Sequence, residues 1–341
     1  MMQKRVLLFF TGWLAMMSVG WGGDDLEVGT KGFAIGFNGH IFTQAGDRNI
    51  PWDEQIDLLK KAHAAVYRFD LSPHIDMDRV DNLVELLRKN QIAPLPILLP
   101  PGDRDKSITP EVGEKLAYDY ALSFARRFKG RVLYWELGNE MDDFSILKHG
   151  DILPNGKAYA YGTASGWGKA DFDEKRYQLA LGTLRGLSRG IRAGDPAARL
   201  IVDSSGWVHV GFFDRLLQDK LDYDIVAWHW YSDYGNIRNA GGRPLFDHIV
   251  SYHKPIWITE GGYRPKKNDP DVDKHQADYM QAALDDFSGL YPLLQVYCIY
   301  SLFDTPTDGG PYGFVNLEKT DNGWMVGKTK PAFDVVAGFS P

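Results

Sequence analysis

The sequence predicts an α/β fold, a (β/α)8 TIM barrel, and two observations lead to this prediction. Short apolar runs rich in β-branched and aromatic residues occur eight times and alternate with segments of helical spacing. Most of each run is continuously apolar, as expected of a parallel strand covered on both faces. Eight such units indicate a closed barrel. An open doubly wound sheet would favour a glycine-rich phosphate turn after its first strand, and the residues IGFNGH at 35–40 do not match GxGxxG.

The predicted strands lie at 33–39, 64–71, 92–100, 132–140, 198–207, 223–233, 255–263 and 293–303. Apolar residues spaced three and four apart predict helices at 76–89, 111–129, 172–193 and 275–288. The segment KPAFDVVAGF is predicted to be the closing helix. Because no linker or shift in composition interrupts this order, we expect a single catalytic domain over residues 23–341.

The connection after the fourth predicted strand, at about 141–171, is much longer than the others. It carries Tyr159, Tyr161 and Trp167 among glycines. Connections of this length are uncommon unless they are functional or disordered. This one leaves the carboxyl end of its strand, which in a barrel is the active-site face. We predict a lid on the substrate side, and a surface insertion without a role is the alternative.

Composition narrows the class of protein. The chain has 341 residues and is 44% hydrophobic, so it is long and apolar enough to form a large core. A net charge of -7 argues against a nucleic-acid partner. The abundance of aromatic residues, 13% of the chain, suits contact with sugar rings as well as core packing. Cys298 is the only cysteine, which excludes an intrachain disulfide.

The first 22 residues have the pattern of an export signal. A basic head, MMQKR, precedes an apolar run that ends in small residues. A retained membrane anchor is the alternative interpretation. We expect this leader to be cleaved, so that the mature protein is secreted or periplasmic and has no membrane association.

Two glutamates end predicted strands. Glu140 closes the fourth strand in YWELGNE, and Glu260 closes the seventh in IWITEGG. In a barrel these residues would face each other across the mouth. Glycosidic hydrolysis uses such a pair, one carboxylic acid to protonate the leaving oxygen and one carboxylate to attack or to activate water. The acid must keep its proton near neutral pH, which requires burial or a neighbouring charge.

Other polar residues occur where strands should be apolar. His229 and Tyr231 are two apart on the sixth strand and therefore point to the same face, so tyrosine could hydrogen-bond Glu260. Arg68, in the second strand, should pair with an acid, either Asp70 or Glu260.

Weaker candidates for sugar contacts are spread over several strand ends. Asn139 could donate to a sugar hydroxyl, although a strand-end turn would also use it. For the remaining candidates a core or surface role is an equal alternative; they are His40, Trp207, Tyr300 and Phe303.

The ordered set of motifs resembles the clan A retaining glycoside hydrolases, and the resemblance covers nearly the whole mature chain. It rests on Arg68, Asn139-Glu140, His229-x-Tyr231 and Glu260. Among families, YWELGNE and YSLFDTP are most similar to family 39, with family 5 next. The resemblance implies Glu140 as acid/base, Glu260 as nucleophile and Asn139 on the sugar 2-hydroxyl.

The same resemblance implies that Arg68 and Tyr231 surround the nucleophile and that His229 lines the cleaved subsite. Many clan members carry a Trp near the end of strand eight, where this chain offers Tyr300, Leu302 and Phe303. The chain therefore departs from the clan at the position where an aromatic ring is expected to support the bound sugar.

These observations predict a secreted retaining glycosidase that cleaves β-glycosidic bonds of a polysaccharide or oligosaccharide, with endo action favoured, and acts as a monomer. A retaining mechanism requires carboxyl groups about 5–5.5 Å apart, whereas a gap beyond about 6.5 Å indicates inversion. We expect no metal and no cofactor, because the 9 histidines form no HExxH or HxH ligand pattern. A sugar-binding barrel without turnover and a transglycosylase are the alternatives.

Overall fold

The computed structural model describes residues 26–304 and 310–340. Eight parallel strands close into a barrel in sequence order, which confirms the predicted fold class. The strands are β1 (Ala34–Gly39), β2 (Val66–Leu71), β3 (Ala93–Leu98), β4 (Tyr134–Leu137), β5 (Arg199–Val202), β6 (Ile225–Tyr231), β7 (Ile256–Gly262) and β8 (Leu294–Ile299). Each lies within the run predicted for it.

Helices cover the outside of the barrel. They are α1 (Ala45–Asn49), α2 (Trp52–Lys61), α3 (Met77–Lys89), α4 (Pro110–Arg127), α5 (Met141–Ser145), α6 (Glu174–Gly194), α7 (Val210–Gln218), α8 (Leu245–Val250), α9 (Val272–Ser288) and α10 (Pro331–Ala337). Asp76, Thr109 and Asp173 cap α3, α4 and α6 by accepting from main-chain N–H groups of the first turn.

A hairpin that the sequence analysis did not predict follows the barrel. Its strands are β9 (Val315–Thr320) and β10 (Gly323–Thr329), which pair antiparallel with Thr320 opposite Gly323. The two residues between them are Asp321 and Asn322. Asp-Asn followed by glycine is a turn sequence that suits a two-residue hairpin loop.

The barrel interior is layered along the strands. Alternate residues point inward, so a strand places Val66, then Arg68, then Asp70 at successive heights. The lower layer is apolar and contains Val66, Leu95, Tyr134, Ile201, Ala227, Trp257 and Cys298. The layer above it is polar and buried, and it contains Asn38, Arg68, Glu136 and His229. The polar layer therefore lies directly beneath the carboxyl-end mouth of the barrel.

The predicted leader, residues 1–22, lies outside the described residues. Among residues 26–304 and 310–340, no helix has the length and apolar character needed to span a membrane.

Candidate active site

The main chain changes from an extended to a left-handed conformation just after β4 ends. The β3–β4 ladder finishes with Gly138 N–H donating to Leu98 O (3.1 Å). Gly138 then has φ 73° and Glu140 has φ 49°, both in the left-handed region. A glutamate is uncommon there, and such strain is typical of functional sites. The turn removes the Glu140 N–H from the strand ladder, and it donates instead to Asp203 Oδ1 (2.9 Å).

A bulge in β7 aims Glu260 at the barrel axis. Between β6 and β7 the register shifts from Ala227 opposite Trp257 to His229 opposite Glu260. The extra residue on β7 allows both Thr259 and Glu260 to reach the interior. Bulges commonly re-aim a side chain beside an active site in this way.

The two predicted glutamates meet at the mouth of the barrel. A carboxylate oxygen of Glu140, one of Glu260 and a ring nitrogen of His229 lie within 4.8 Å of one another. The Glu140 side chain is 30% exposed and that of Glu260 is 14% exposed, so both reach the surface of the cleft. This approach of two oxygens is compatible with the separation of about 5–5.5 Å between the carboxyl groups of retaining pairs.

Glu260 is held as a carboxylate by its neighbours. Tyr231 donates its hydroxyl to Oε1 (2.6 Å), and Arg68 Nη1 donates to Oε2 (3.0 Å). Burial alone would raise the pKa of Glu260, but the charges of His229 and Arg68 and the Tyr231 hydrogen bond outweigh it and lower that pKa below its ordinary value. Glu260 therefore has the ionisation that a nucleophile needs.

Arg68 pairs with an acid that the sequence analysis did not single out. Its guanidinium donates two hydrogen bonds to Glu136, from Nε to Oε2 (2.6 Å) and from Nη2 to Oε1 (3.1 Å). Glu260 is its second partner, as the analysis allowed, whereas Asp70 instead pairs with His40 (3.0 Å). Burial opposes ionisation of Glu136, but Arg68 and His229 overcome it and lower its pKa to about 2.

His229 connects Glu140 to the polar layer below. Its Nδ1 donates to Glu140 Oε1 (2.9 Å), and its Nε2 lies 3.3 Å from Asp203 Oδ2. Burial alone would lower the pKa of His229, but the surrounding carboxylates, Glu260 foremost, raise it well above its usual range. These carboxylates therefore favour the charged imidazole, in which both nitrogens are donors.

Asn139 is oriented by two arginines. Arg68 Nη2 donates to its side-chain oxygen (2.9 Å), and Arg104 donates to its carbonyl oxygen. With Oδ1 engaged in this way, the amide NH2 is left to donate into the cleft that Asn139 lines.

Two cavities adjoin the glutamate pair. Glu260 lines a cavity of about 420 Å³ together with His40, Asn139, Arg104 and Tyr300. Glu140 lines another of about 620 Å³ together with Trp207, Tyr234 and Arg264. Each glutamate therefore borders a different cavity.

The weaker candidates divide between cleft and core. His40 lies in the Glu260 cavity, with Nε2 3.1 Å from the Tyr300 hydroxyl, and Trp207 lies in the Glu140 cavity. Phe303 does not reach the cleft: it is 1% exposed and pairs with Val315, so its ring packs in the core beneath the hairpin. The strand-eight aromatic residue that lines the cleft is Tyr300.

The long connection after β4 forms one wall of the Glu140 cavity through Thr163, Ala164 and Ser165. It is tied to α7 by Gly211 N–H donating to Gly166 O (2.9 Å), and it is held against itself by Ala164 N–H donating to Leu147 O (2.9 Å). Gly166 has φ 81°, and a Cβ there would lie 2.2 Å from the His209 ring, so only glycine fits this close approach.

Two groups of carboxylates and imidazole in the described residues have ligand-like spacing. They are Glu136–Asp203–His229 and Glu140–His229–Glu260. The Arg68 guanidinium lies between the buried members, with Nη2 3.1 Å from Glu136 and 3.5 Å from Asp203. Glu136 and Asp203 therefore share the Arg68 side chain as a cation.

The residues that the sequence analysis missed left different signals. Glu136 lies between Trp135 and Leu137 in an apolar strand, and an acid there is a clear partner for a buried arginine. Asp203 follows β5 directly and could have been noticed as a polar strand end. Arg104 and Arg264 lie in loops and Tyr234 in a one-turn 3-10 helix after β6, and none of the three carries a sequence pattern.

Comparison with known proteins supports the fold. No family model matches this chain, and no curated protein matches it in sequence. Among solved structures, the GH10 structure from Paenibacillus barcinonensis is 17% identical, with TM-score 0.59, covering 92% of this chain and 95% of that one. A β-glucosidase from Thermotoga maritima in complex with deoxynojirimycin is 15% identical, with TM-score 0.63 and coverages of 91% and 99%.

Xylanase 10B from Thermotoga petrophila RKU-1 in complex with xylobiose is 14% identical, with TM-score 0.60 and coverages of 93% and 97%. At these identities the likeness establishes a shared (β/α)8 fold over nearly the full length of each chain. The resemblance to family 39 or family 5 stays a prediction.

Proposed function

We propose that this protein is a retaining β-glycoside hydrolase of clan A that cleaves within a polysaccharide by double displacement. The observation that carries the proposal is the approach of Glu140 and Glu260 at the carboxyl ends of β4 and β7, where one carboxylate oxygen of each lies within 4.8 Å of the other. An inverting enzyme needs about 6.5–9.5 Å between its carboxyl groups to admit water, so this close approach supports retention. The shared fold with xylanases and a β-glucosidase adds support.

The environment of each glutamate supports a different role for it. Glu260, whose pKa is lowered by the charges around it despite its burial, attacks the anomeric carbon and forms the glycosyl-enzyme intermediate. Glu140, the more exposed of the two, protonates the departing oxygen and then removes a proton from the incoming water. Asn139 donates its amide N–H to a hydroxyl of the sugar bound beside Glu260.

The two cavities support endo action. A cavity on the Glu260 side receives the sugar that becomes covalently attached, and the Glu140 side receives the leaving part of the chain. Trp207 and Tyr234, with ring centroids 5.8 Å apart, offer aromatic faces to that leaving part. An exo-acting enzyme needs space for extended substrate on one side only.

The first test is the stereochemistry of the product. Proton NMR during hydrolysis of xylan and mixed-linkage β-glucan fragments should show the β-anomer first, followed by mutarotation. Initial release of the α-anomer would contradict the double displacement. Failure to cleave any β-glycan in a panel of xylan, mannan, β-glucans and bacterial exopolysaccharides would remove the proposal altogether. A sugar acceptor in excess distinguishes hydrolysis from transglycosylation.

The second test assigns the two glutamates. Glu260→Ala should be inactive on every substrate, since no group replaces the nucleophile. Glu140→Ala should cleave only activated aryl glycosides, and azide should restore its turnover by giving a β-glycosyl azide. Asp143→Ala is a matched control, because Asp143 lines the same cavity but pairs with Lys148 (3.2 Å). Azide rescue of Asp143→Ala, or its absence in Glu140→Ala, would contradict the assignment.

We also propose export of the protein, supported by the basic head and apolar run of residues 1–22. N-terminal sequencing of protein recovered from the periplasm or medium tests this, and an intact Met1 on that protein would contradict cleavage. A monomer is expected, and light scattering of the purified protein checks it.

A further inference from the structure

Asp203 is a buried carboxylate behind the candidate acid/base. It follows β5 immediately, is 1% exposed, and lines neither of the two cavities beside the glutamates. Burial raises its pKa to about 7, against the opposing effect of His229. A buried carboxyl of this kind is costly and needs partners for both oxygens. Its partners show what it does.

One oxygen of Asp203 holds the main chain of Glu140. The left-handed turn at Glu140 leaves its N–H without a place in the strand ladder. Asp203 Oδ1 accepts that N–H at 2.9 Å. Since an unpaired buried N–H would cost about 1–3 kcal/mol, this contact stabilises the strained turn that points Glu140 into the cleft.

The other oxygen acts on the side chain of Glu140 through His229. Asp203 Oδ2 lies 3.3 Å from His229 Nε2, and His229 Nδ1 donates to Glu140 Oε1 (2.9 Å). The three residues therefore form a closed ring of contacts. Glu140 is held at its backbone by one arm of the ring and at its carboxylate by the other.

We propose that Asp203 is a positioning residue for Glu140, fixing both the main chain and the carboxyl group of the acid/base. The proposal rests on the function assigned to Glu140 above. It implies that Asp203 affects the steps in which Glu140 moves a proton. The attack by Glu260 on a substrate whose leaving group needs no proton is affected much less.

A second buried carboxylate provides a matched control. Asp142 is also fully buried and lies two residues after Glu140. Its partners are Ser204 (2.7 Å), Ser205 (2.9 Å) and His209 (2.7 Å), and it contacts neither Glu140 nor His229. Its replacement reports the cost of removing a buried carboxylate from this region without opening the ring.

The experiment compares two leaving groups on the same sugar. Phenyl and 2,4-dinitrophenyl β-glycosides of xylobiose and cellobiose are assayed with wild type, Asp203→Ala, Asp203→Asn and Asp142→Ala. Asp203→Ala should lower kcat/KM for the phenyl glycoside about 100-fold, the scale of a lost acid catalyst, and for the dinitrophenyl glycoside less than about 5-fold. Asp203→Asn, which keeps an oxygen for the Glu140 N–H, should lose about 10-fold on the phenyl glycoside alone.

A second readout does not depend on turnover. In protein labelled with 15N-histidine, the imidazole titration of His229 should move to lower pH in both Asp203 variants and stay in place in Asp142→Ala, because Asp203 faces that ring and Asp142 does not. The other charged groups that face the ring are Glu136, Glu140, Glu260 and Arg68, and they are the same in all of these variants. Asp203→Asn preserves the volume of the side chain, so the titration can still be followed in this variant if Asp203→Ala is too unstable for reliable kinetics.

The outcomes separate the two proposals. Equal losses on both leaving groups in the Asp203 variants would reduce Asp203 to a structural residue and overturn the inference. An unchanged His229 titration in both variants would show that Asp203 does not act on that imidazole, and this result would overturn the inference as well. If wild type cleaves none of the glycosides, the proposed function fails, and the His229 titration alone decides whether Asp203 acts on that ring.

Discussion

Tyr231→Phe removes one hydroxyl from the site and should move the acidic limb of the kcat/KM profile to higher pH. The Tyr231 hydroxyl donates to Glu260 Oε1 at 2.6 Å, and the tyrosine is 6% exposed. This hydrogen bond favours the carboxylate over the carboxylic acid, so it contributes to the lowered pKa of Glu260. Without it, Glu260 binds its proton more tightly and loses its nucleophilic form at a higher pH.

The size of the shift follows from the strength of the bond. A hydrogen bond to a charged partner contributes about 1.5–3 kcal/mol. One pKa unit corresponds to about 1.36 kcal/mol, so the shift should be about one to two units. Glu260 is 14% exposed, and Arg68 still donates to its other oxygen, so water and the arginine compensate in part. We therefore expect a value near the lower end, about one unit.

The assay is the pH dependence of kcat/KM on an activated aryl glycoside, because this parameter reports the ionisation of the free enzyme. Tyr312→Phe is the control, since its ring lies 6.4 Å from that of Tyr231 and removal of its hydroxyl leaves the Tyr231 hydrogen bond in place. An acidic limb that stays in place in Tyr231→Phe, or moves equally in Tyr312→Phe, would refute the reasoning.

Three further changes test other parts of the site. Arg68→Met leaves Glu136 and Glu260 without their buried cation and should lower the free energy of unfolding by about 3–5 kcal/mol in urea denaturation; a loss below about 1 kcal/mol would be inconsistent with a central role. Asp203→Asn should gain stability relative to wild type as the pH rises from about 4 to about 7. Over this range the folded wild type keeps a proton on Asp203 that its unfolded chain has released, so the stability of wild type alone falls as the pH rises. A difference in melting temperature between the two proteins that stays constant across that range would contradict this. Trp207→Ala should raise KM for a polysaccharide roughly tenfold with kcat for a small aryl glycoside unchanged, because only the long substrate reaches the ring, and an unchanged KM would place Trp207 outside the binding surface.

Much of the fold is readable from local pattern. Each of the eight strands falls inside an apolar run, because parallel strands buried on both faces leave a continuous apolar signature. The hairpin of β9 and β10 was missed because its strands are largely exposed or half-exposed and so lack a continuous apolar run, although its Asp321-Asn322-Gly323 turn was visible.

The site was predictable where a residue is anomalous in its own surroundings. Glu140 and Glu260 end apolar strands, and the topology of a barrel brings the carboxyl ends of β4 and β7 to one face. His229 and Tyr231 share a face by the two-residue period of a strand. Phe303 was wrong as a cleft residue, because the sequence does not show that β8 ends at Ile299 and that the chain then turns toward Val315 in the core.

Residue pattern alone determined the barrel, the face that carries the site and the two carboxylates, because apolar periodicity and polar strand ends are local properties of the chain. Only the tertiary structure decided the partner of Arg68, the bulge that turns Glu260 inward and the ring that joins Asp203, His229 and Glu140. These depend on strand register and backbone twist, which bring Arg68 to Glu136, 68 positions away, and Glu140 to Asp203, 63 positions away. Local sequence carries no record of such distances.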